Sequence, residues 1–192
     1  MILLDDRVGS RELYDYFPVG TVEIARLPAA DAAFFGWGQE GELVEVGVEV
    51  KSVQDVLSCI KNGRFTGTQL PELHRQYKII YLVIEGKYRA GDEGTLQVPW
   101  AGGWRTETIA GRAWMYRDFE AWLISMELRG GVRIRRSYGR RETALIVLAL
   151  YRWMTDKDFA EHRAHLAPDT SGGPSLVKPS LLRRVAAQLP LV

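Results

Sequence analysis

The clearest alternation of apolar and polar positions runs through Val46-Gly47-Val48-Glu49-Val50-Lys51. Side chains of an extended chain point alternately to opposite faces, so Val46, Val48 and Val50 share one face while Glu45, Glu49 and Lys51 share the other. The stretch Leu43 to Lys51 therefore predicts a strand with one core face and one face that carries a carboxylate beside an ammonium. A helix follows directly. Ser52 stands as an N-cap with Asp55 three residues on, Val53, Val56, Leu57 and Ile60 form a stripe at helical spacing, and Asn62-Gly63 is a stop signal.

The same reading extends along the chain. Ile2-Leu3-Leu4 predicts a short buried strand ending in Asp5-Asp6-Arg7, Glu12 to Phe17 a helix, and Thr21 to Leu27 a second strand. Asp31 stands just ahead of a short apolar strand, and the Gly-rich turn Gly36 to Gly41 folds that strand back onto Leu43 to Lys51 as a hairpin. Residues Arg64 to Gln69 lead into a helix through Gln76. The continuous apolar run Ile79 to Ile84 suits a central strand buried on both faces, and the strand, helix, strand order implies a parallel crossover. Tyr88 to Met115, rich in glycine and aromatic residues, predicts a hairpin beside the sheet. Phe119 to Glu127 then predicts a helix, Val132 to Arg136 an alternating strand, and Glu142 to Met154 a strongly apolar helix. The class is α/β, a mixed central sheet flanked by helices with a hairpin insertion.

At 192 residues, 46% hydrophobic and 26% charged, the chain has the composition of one soluble domain with a small appendage. The formal net charge of +1 confines any basic footprint to a local patch. Cys59 is the only cysteine, so no intrachain disulfide can form, and its place on the predicted helix favours packing over reactivity. No apolar run approaches a membrane span and no signal-peptide pattern precedes the first strand, which leads to the expectation of a cytoplasmic protein with no membrane partner.

Candidate chemistry gathers where strands end. A carboxylate holds a hard divalent cation, and a lysine two residues away can position water or stabilise charge developing on a phosphate. Glu49 and Lys51 fit this pattern, the hairpin supplies Asp31 as a second carboxylate, and Asp5 or Asp6 stands at the end of another strand. A half-buried strand with a solvated charged face is the competing reading. Five arginines between residues 133 and 141, with Arg133 and Arg135 on one face, would make a phosphate-facing ridge or a protected edge strand. Trp100, Trp104 and Trp114 are either stacking platforms for unpaired bases or caps on an open core edge.

Taken in order, Asp5-Asp6-Arg7, Ala30-Asp31, Glu49-Val50-Lys51, Asp55, Gly63-Arg64 and Gln69 resemble the nuclease domain of the XPF-type structure-specific DNA endonucleases, of phage or prokaryotic type. These are a branch of the restriction-endonuclease-like PD-(D/E)XK superfamily, and the resemblance covers most of residues 2 to 155. It implies a divalent-metal-dependent DNA endonuclease acting on branched DNA in repair or recombination. Alternatives within the same resemblance are an inactive DNA-binding pseudonuclease and a junction resolvase or exonuclease. By the same token Asp31 and Glu49, helped by the Val50 carbonyl, would hold Mg2+ or Mn2+, and Lys51 would assist the nucleophilic water. Asp5 would be an auxiliary acid; Arg7, Arg64 and Gln69 would face the DNA backbone or brace the acids, with Arg133 and Arg135 as further DNA contacts. Asp55 would pair with a basic residue near the site or complete the Ser52 cap. Two positions depart from the family pattern: Val50 replaces its arginine and Ala30 its glycine.

The expected boundaries are a nuclease domain over residues 1–166 with the insertion at 88–115, a linker over 167–178, and a helix over 179–192 that resembles the start of a helix-hairpin-helix module cut short. The family commonly dimerises through its C-terminal helices, which makes a homodimer an expectation. His162 and His165 have the spacing of a metal pair but no accompanying Cys/His set.

Overall fold

Each predicted apolar segment needs a partner for its backbone and a cover for its side chains, and a single twisted sheet between helices supplies both. In the computed structural model, which describes residues 1–38 and 40–156, the chain begins with β1 (Ile2–Asp5), the single turn α1 (Val8–Arg11), a 3-10 turn (Tyr14–Tyr16) and β2 (Val22–Ala25). It continues through β3 (Ala32–Trp37), β4 (Leu43–Ser52), α2 (Val53–Asn62), a π-helical turn (Phe65–Gln69), α3 (Leu70–Gln76) and β5 (Ile79–Glu85). After an insertion come α4 (Tyr116–Leu128), the last strand of the sheet (Val132–Ser137) and a long closing helix (Arg140–Thr155). The insertion holds β6 (Arg89–Ala90), β7 (Leu96–Trp100) and β8 (Gly103–Thr106) in one three-stranded sheet and pairs β9 (Thr108–Ile109) with β10 (Arg112–Ala113), so the final strand and helix are β11 and α5.

The main sheet has the order β11-β5-β4-β3-β1-β2. β4, β5 and β11 run parallel, as do β1 and β2, while β3 is antiparallel to both of its neighbours. The carboxyl ends of β1, β4, β5 and β11 therefore lie along one edge, together with the start of β3. Helices α2, α3 and α4 cover one face through Val53, Val56, Leu73, Leu82 and Phe119. Helix α5 covers the other through Val46, Val48, Tyr81, Val83 and Val147. Leu82 and Val83 are both 0% exposed on opposite faces of β5, and each such side chain contributes about 1.5–3 kcal/mol relative to exposure. The expected central strand is thus buried on both faces.

The hairpin, the parallel crossover and the limits of α2 follow the sequence. Ser52 Oγ accepts the Asp55 amide at 3.0 Å, and Gly63 ends the helix in the left-handed region at φ 67°. Two expectations are corrected. The helix expected over Glu12 to Phe17 is broken into α1 and a 3-10 turn, because Leu13 alone in that stretch is buried and no apolar stripe holds further turns against the sheet. The charged face of β4 is not solvated: Glu49 and Lys51 side chains are only 12% and 8% exposed, since α2, α3 and the crossover cover that face as well. The expected hairpin of the insertion is β7–β8, extended by β6 and accompanied by a two-stranded pair. No helix of the described residues is long and apolar enough to cross a membrane. The readings for His162, His165, the 167–178 linker and the 179–192 helix lie outside the described residues.

Candidate functional site

Strand pairing, not sequence proximity, assembles the site. The amide of Asp31 donates to the Val48 carbonyl at 2.9 Å, and the amide of Asp5 donates to the Asp31 carbonyl at 2.9 Å. The main chain of Asp31 is thereby stitched between β1 and β4. Glu49 and Lys51 lie opposite Leu82 and Ile84, on the sheet face covered by α2 and α3. A cleft of about 500 Å³ opens at this edge, lined by Asp31, Glu49, Val50, Lys51, Arg7 and Arg64 among others. The structure brings the two central acids, the lysine, Arg7, Arg64 and Gln69 together around one cavity.

Asp31 is held by both oxygens: Oδ1 accepts the Ser10 hydroxyl at 2.5 Å and Oδ2 accepts the Val50 amide at 2.7 Å. The loop before it is constrained too. Ala30 adopts φ 71°, where a Cβ is unfavourable, and the Tyr77 hydroxyl donates to the Ala29 carbonyl at 2.6 Å. The Tyr77 ring in turn packs against Gly47, where no side chain intervenes. Burial pushes the Tyr77 hydroxyl up to about 12, with the Asp5 and Glu49 charges adding to the rise, so it remains a hydrogen-bond donor.

Glu49 Oε1 accepts the Lys51 ammonium at 2.9 Å, and the ammonium lies 5.4 Å from the centre of the Phe65 ring. Phe65 belongs to the π-helical turn and packs against Trp122. Burial and then the charge of Asp31 raise the Glu49 pKa, and the Lys51 and Arg7 charges only partly offset them. The two acids thus face one cleft, with Glu49 easier to protonate than an exposed carboxylate. Among the described residues no hydrogen bond reaches Glu49 Oε2, which leaves an acceptor beside the cavity. Gln69 Oε1, also at the cleft wall, is buried with no partner among the described residues.

Asp5 plays a different part. Its side chain is 1% exposed and does not line the cleft. Burial would raise its pKa, but hydrogen bonds from the Arg7 side chain and from the Leu27 and Arg7 amides outweigh that and hold it below the ordinary value. Arg7, bonded also to the Leu27 carbonyl at 3.1 Å, spans from this buried acid to the cleft. Asp55 receives the Ser52 hydroxyl at 2.7 Å and completes the helix cap rather than joining the cleft.

The arginine ridge stands apart from the cleft. Arg133 and Arg135 pair with Tyr81 and Val83, the face of β5 that meets α5. Both guanidinium groups sit near the Tyr81 ring, at 5.7 and 5.4 Å. They lie on the opposite face of the sheet from Glu49 and Lys51, and β5 separates them from β4. Arg136 is the arginine on the site's face; it pairs with Glu120 at 2.6 Å. Ser10 and Tyr77 were not foreseen, because neither carries a local motif and both act through contacts more than twenty residues away.

The ERCC4 domain family model matches residues 4–150. The chain belongs to the ERCC4 domain family. Solved ERCC4-type structures have the same fold. XPF from Aeropyrum pernix superposes with a TM-score of 0.53 at 18% identity, covering 85% of this chain and 68% of that one. The same protein in complex with DNA gives 0.50 at 19% identity, covering 97% and 80%. No curated protein matches the sequence. The resemblance to XPF-type nuclease domains and the mixed central sheet flanked by helices read from the sequence are thereby established, and in this ERCC4 domain the cleft acids stand at the start of β3 and toward the end of β4.

Proposed function

We propose that this ERCC4 domain is a divalent-metal-dependent endonuclease that hydrolyses phosphodiester bonds in branched DNA, with Asp31, Glu49 and Lys51 as its working residues. The observation that carries the reading is the convergence of Asp31 and Glu49 on one cleft, close enough for the charge of one to raise the pKa of the other, with Lys51 bonded to Glu49. Membership of the ERCC4 family and the DNA complex of the A. pernix XPF relative are consistent with DNA as the substrate.

The donors fit Mg2+. Among the described residues no group of three or more His, Cys, Asp or Glu side chains is placed to hold a metal. Magnesium is usually held in another way, by one or two carboxylates with waters and substrate phosphates, and keeps near-octahedral oxygen coordination. Asp31, Glu49 and the Val50 carbonyl would supply the protein's share, with Mn2+ as a substitute. When bound, the cation polarises the phosphate and lowers the pKa of water. The protein's own groups do the rest. Lys51, held by Glu49 and the Phe65 ring, keeps a positive charge where a phosphoryl oxygen gains negative charge. Gln69 Oε1 offers an unused acceptor that orients a water at the cleft wall. Arg7 and Arg64 bind backbone phosphates and fix the strand without reading its sequence.

The test is cleavage of labelled branched, duplex and single-stranded DNA by the full chain with Mg2+, Mn2+ or chelator, alongside Glu49→Gln and Lys51→Ala. Metal-dependent cutting by the wild type, reduced by about 10²-fold or more in both variants, supports the assignment. Binding without cutting, equal in all three proteins, refutes it and marks a pseudonuclease. A homodimer through the C-terminal helices is part of the proposal. The sheet buries much of α5, but Leu145 stays 50% exposed on it, and sedimentation equilibrium decides the point.

A further inference from the structure

Residues 87–115 leave the carboxyl end of β5, the same edge as Asp31, Glu49 and Lys51, and pack on the same face of the sheet. Leu96 and Val98 of β7 are 0% and 1% exposed in the core cluster that contains Leu82 and Phe119. Trp114 packs against that cluster and so caps the core edge. The other two tryptophans do not. The ribbon β7–β8 runs beyond its anchored part to a two-residue turn at Ala101-Gly102, both with positive φ (46° and 80°). Positive φ at both central residues is the tight hairpin geometry that matches strand twist, and it makes the tip a short, stiff projection.

Trp100 is 60% exposed and Trp104 38% exposed at this tip. Trp100 and Gly103 are register partners, as are Pro99 and Trp104, so the two indoles lie on opposite faces of the ribbon. Each is matched with one guanidinium: Arg105 lies 4.1 Å from the Trp100 ring and Arg89 4.3 Å from the Trp104 ring. Arg89 also donates to Gln97 at 3.0 Å and has no ion pair among the described residues, whereas Arg105 is paired with Glu107 at 2.8 Å and so is held in place beside its ring. A protein-binding hot spot needs a contiguous desolvated apolar patch. Two indoles on opposite faces, each beside a cation, make no such patch. They suit flat, stackable groups joined by a charged backbone.

We infer that the β7–β8 ribbon is a binding element for unpaired nucleotides, with Trp100 and Trp104 as stacking surfaces and Arg89 and Arg105 as their phosphate-facing partners. This inference rests on the endonuclease reading and deepens it: an unpaired strand seated on the ribbon places the adjoining duplex at the edge that carries Asp31, Glu49 and Lys51. The ribbon then makes the strand branch, rather than duplex sequence, the feature that is recognised.

The test measures the affinity of the full chain, in chelator so that nothing is cut, for a duplex, the same duplex with splayed single-stranded arms, and the single strand alone. The wild type is compared with the double variants Trp100→Ala/Trp104→Ala and Trp100→Phe/Trp104→Phe. Stacking one base corresponds to roughly 5- to 150-fold in affinity. The alanine variant is therefore expected to lose about tenfold or more on splayed-arm and single-stranded DNA and less than about twofold on duplex. The phenylalanine variant, which keeps flat rings, retains most of the preference. Equal affinity of wild type and alanine variant for splayed-arm DNA overturns the inference, and so does a loss of the same size on duplex. An alanine variant with unchanged DNA affinity but altered self-association would mark the ribbon as a protein-docking element. A wild type that binds DNA with no effect of the tryptophan changes, and still cuts when Mg2+ is supplied, sinks this inference alone. A wild type that binds none of the three DNAs sinks the endonuclease reading with it.

Discussion

Adding one methyl group at Gly47 should disable the cleft from behind. A Cβ at this position would lie 2.4 Å from Tyr77 Cδ2, 2.6 Å from Cγ and 2.9 Å from Cε2. Carbon atoms in good contact sit about 3.5–4.0 Å apart, so the ring must retreat by roughly 1 Å. It cannot do so freely, because its hydroxyl is bonded to the Ala29 carbonyl at 2.6 Å and its ring is 8% exposed in the core. Overpacking of this kind costs about 1–3 kcal/mol, and a buried carbonyl left without its donor about 1–3 kcal/mol more. Gly47→Ala is accordingly expected to lower the unfolding free energy by about 2–4 kcal/mol, within those ranges. Urea denaturation followed by circular dichroism measures this, with Tyr77→Leu and the double variant closing a thermodynamic cycle. The leucine removes the obstructing ring, so the double variant should be more stable than the sum of the singles by about 1 kcal/mol or more. A Gly47→Ala protein within about 0.5 kcal/mol of wild type, or strictly additive effects, would refute the argument that Tyr77 is wedged between Gly47 and the loop before Asp31.

Two further outcomes follow from the acids. Glu49 titrates above its ordinary value because of burial and the Asp31 charge; its stabilising contribution is present at low pH and is lost as pH rises through its raised pKa, so the metal-free protein should weaken over that rise and Mg2+ should restore it. Carboxyl-carbon NMR of the metal-free protein should show the Glu49 titration moving down in Asp31→Asn, and an unmoved titration would mean that the Asp31 charge does not act there. Asp5→Ala strands the Arg7 side chain and the Leu27 amide and is expected to cost about 3 kcal/mol, as loss of a buried charge-assisted pair does. Because the Asp5 pKa is lowered, that difference from wild type should be full above pH about 4 and shrink as pH falls through the lowered value; a difference that is flat with pH would contradict it.

What could be read in the sequence was what local physics decides. The valines of β4 and the cap and stop of α2 announce themselves within a few residues, and the hairpin turn places Asp31 near Glu49 without further information. The rest depended on register between distant strands. Whether Arg133 or Arg136 lies on the sheet face that carries Glu49 and Lys51 is decided by β11 pairing with β5, about fifty residues away in sequence, and a shift of one residue would reverse the answer. Ser10 reaches Asp31 only because β1 and β3 are neighbours in the sheet, and Tyr77 reaches Ala29 only because Gly47 leaves it room. Trp100 and Trp104 looked like Trp114 in composition; their difference is a matter of position along the ribbon, inside or beyond the part anchored by Leu96 and Val98.

The stitching of Asp31 between two strands also has a consequence in time. Its carbonyl meets Asp5, made earlier, but its amide waits for Val48, and the strand that carries Glu49 takes its other neighbour from residues 79–85. During synthesis Asp31 and Glu49 therefore emerge before β5, the strand that completes their support, and parallel crossover pairing of this kind forms more slowly than a local hairpin. A partly made chain carries the acids of the cleft without their geometry. For a protein whose proposed work is to cut DNA, the fold itself delays competence until the sheet is complete.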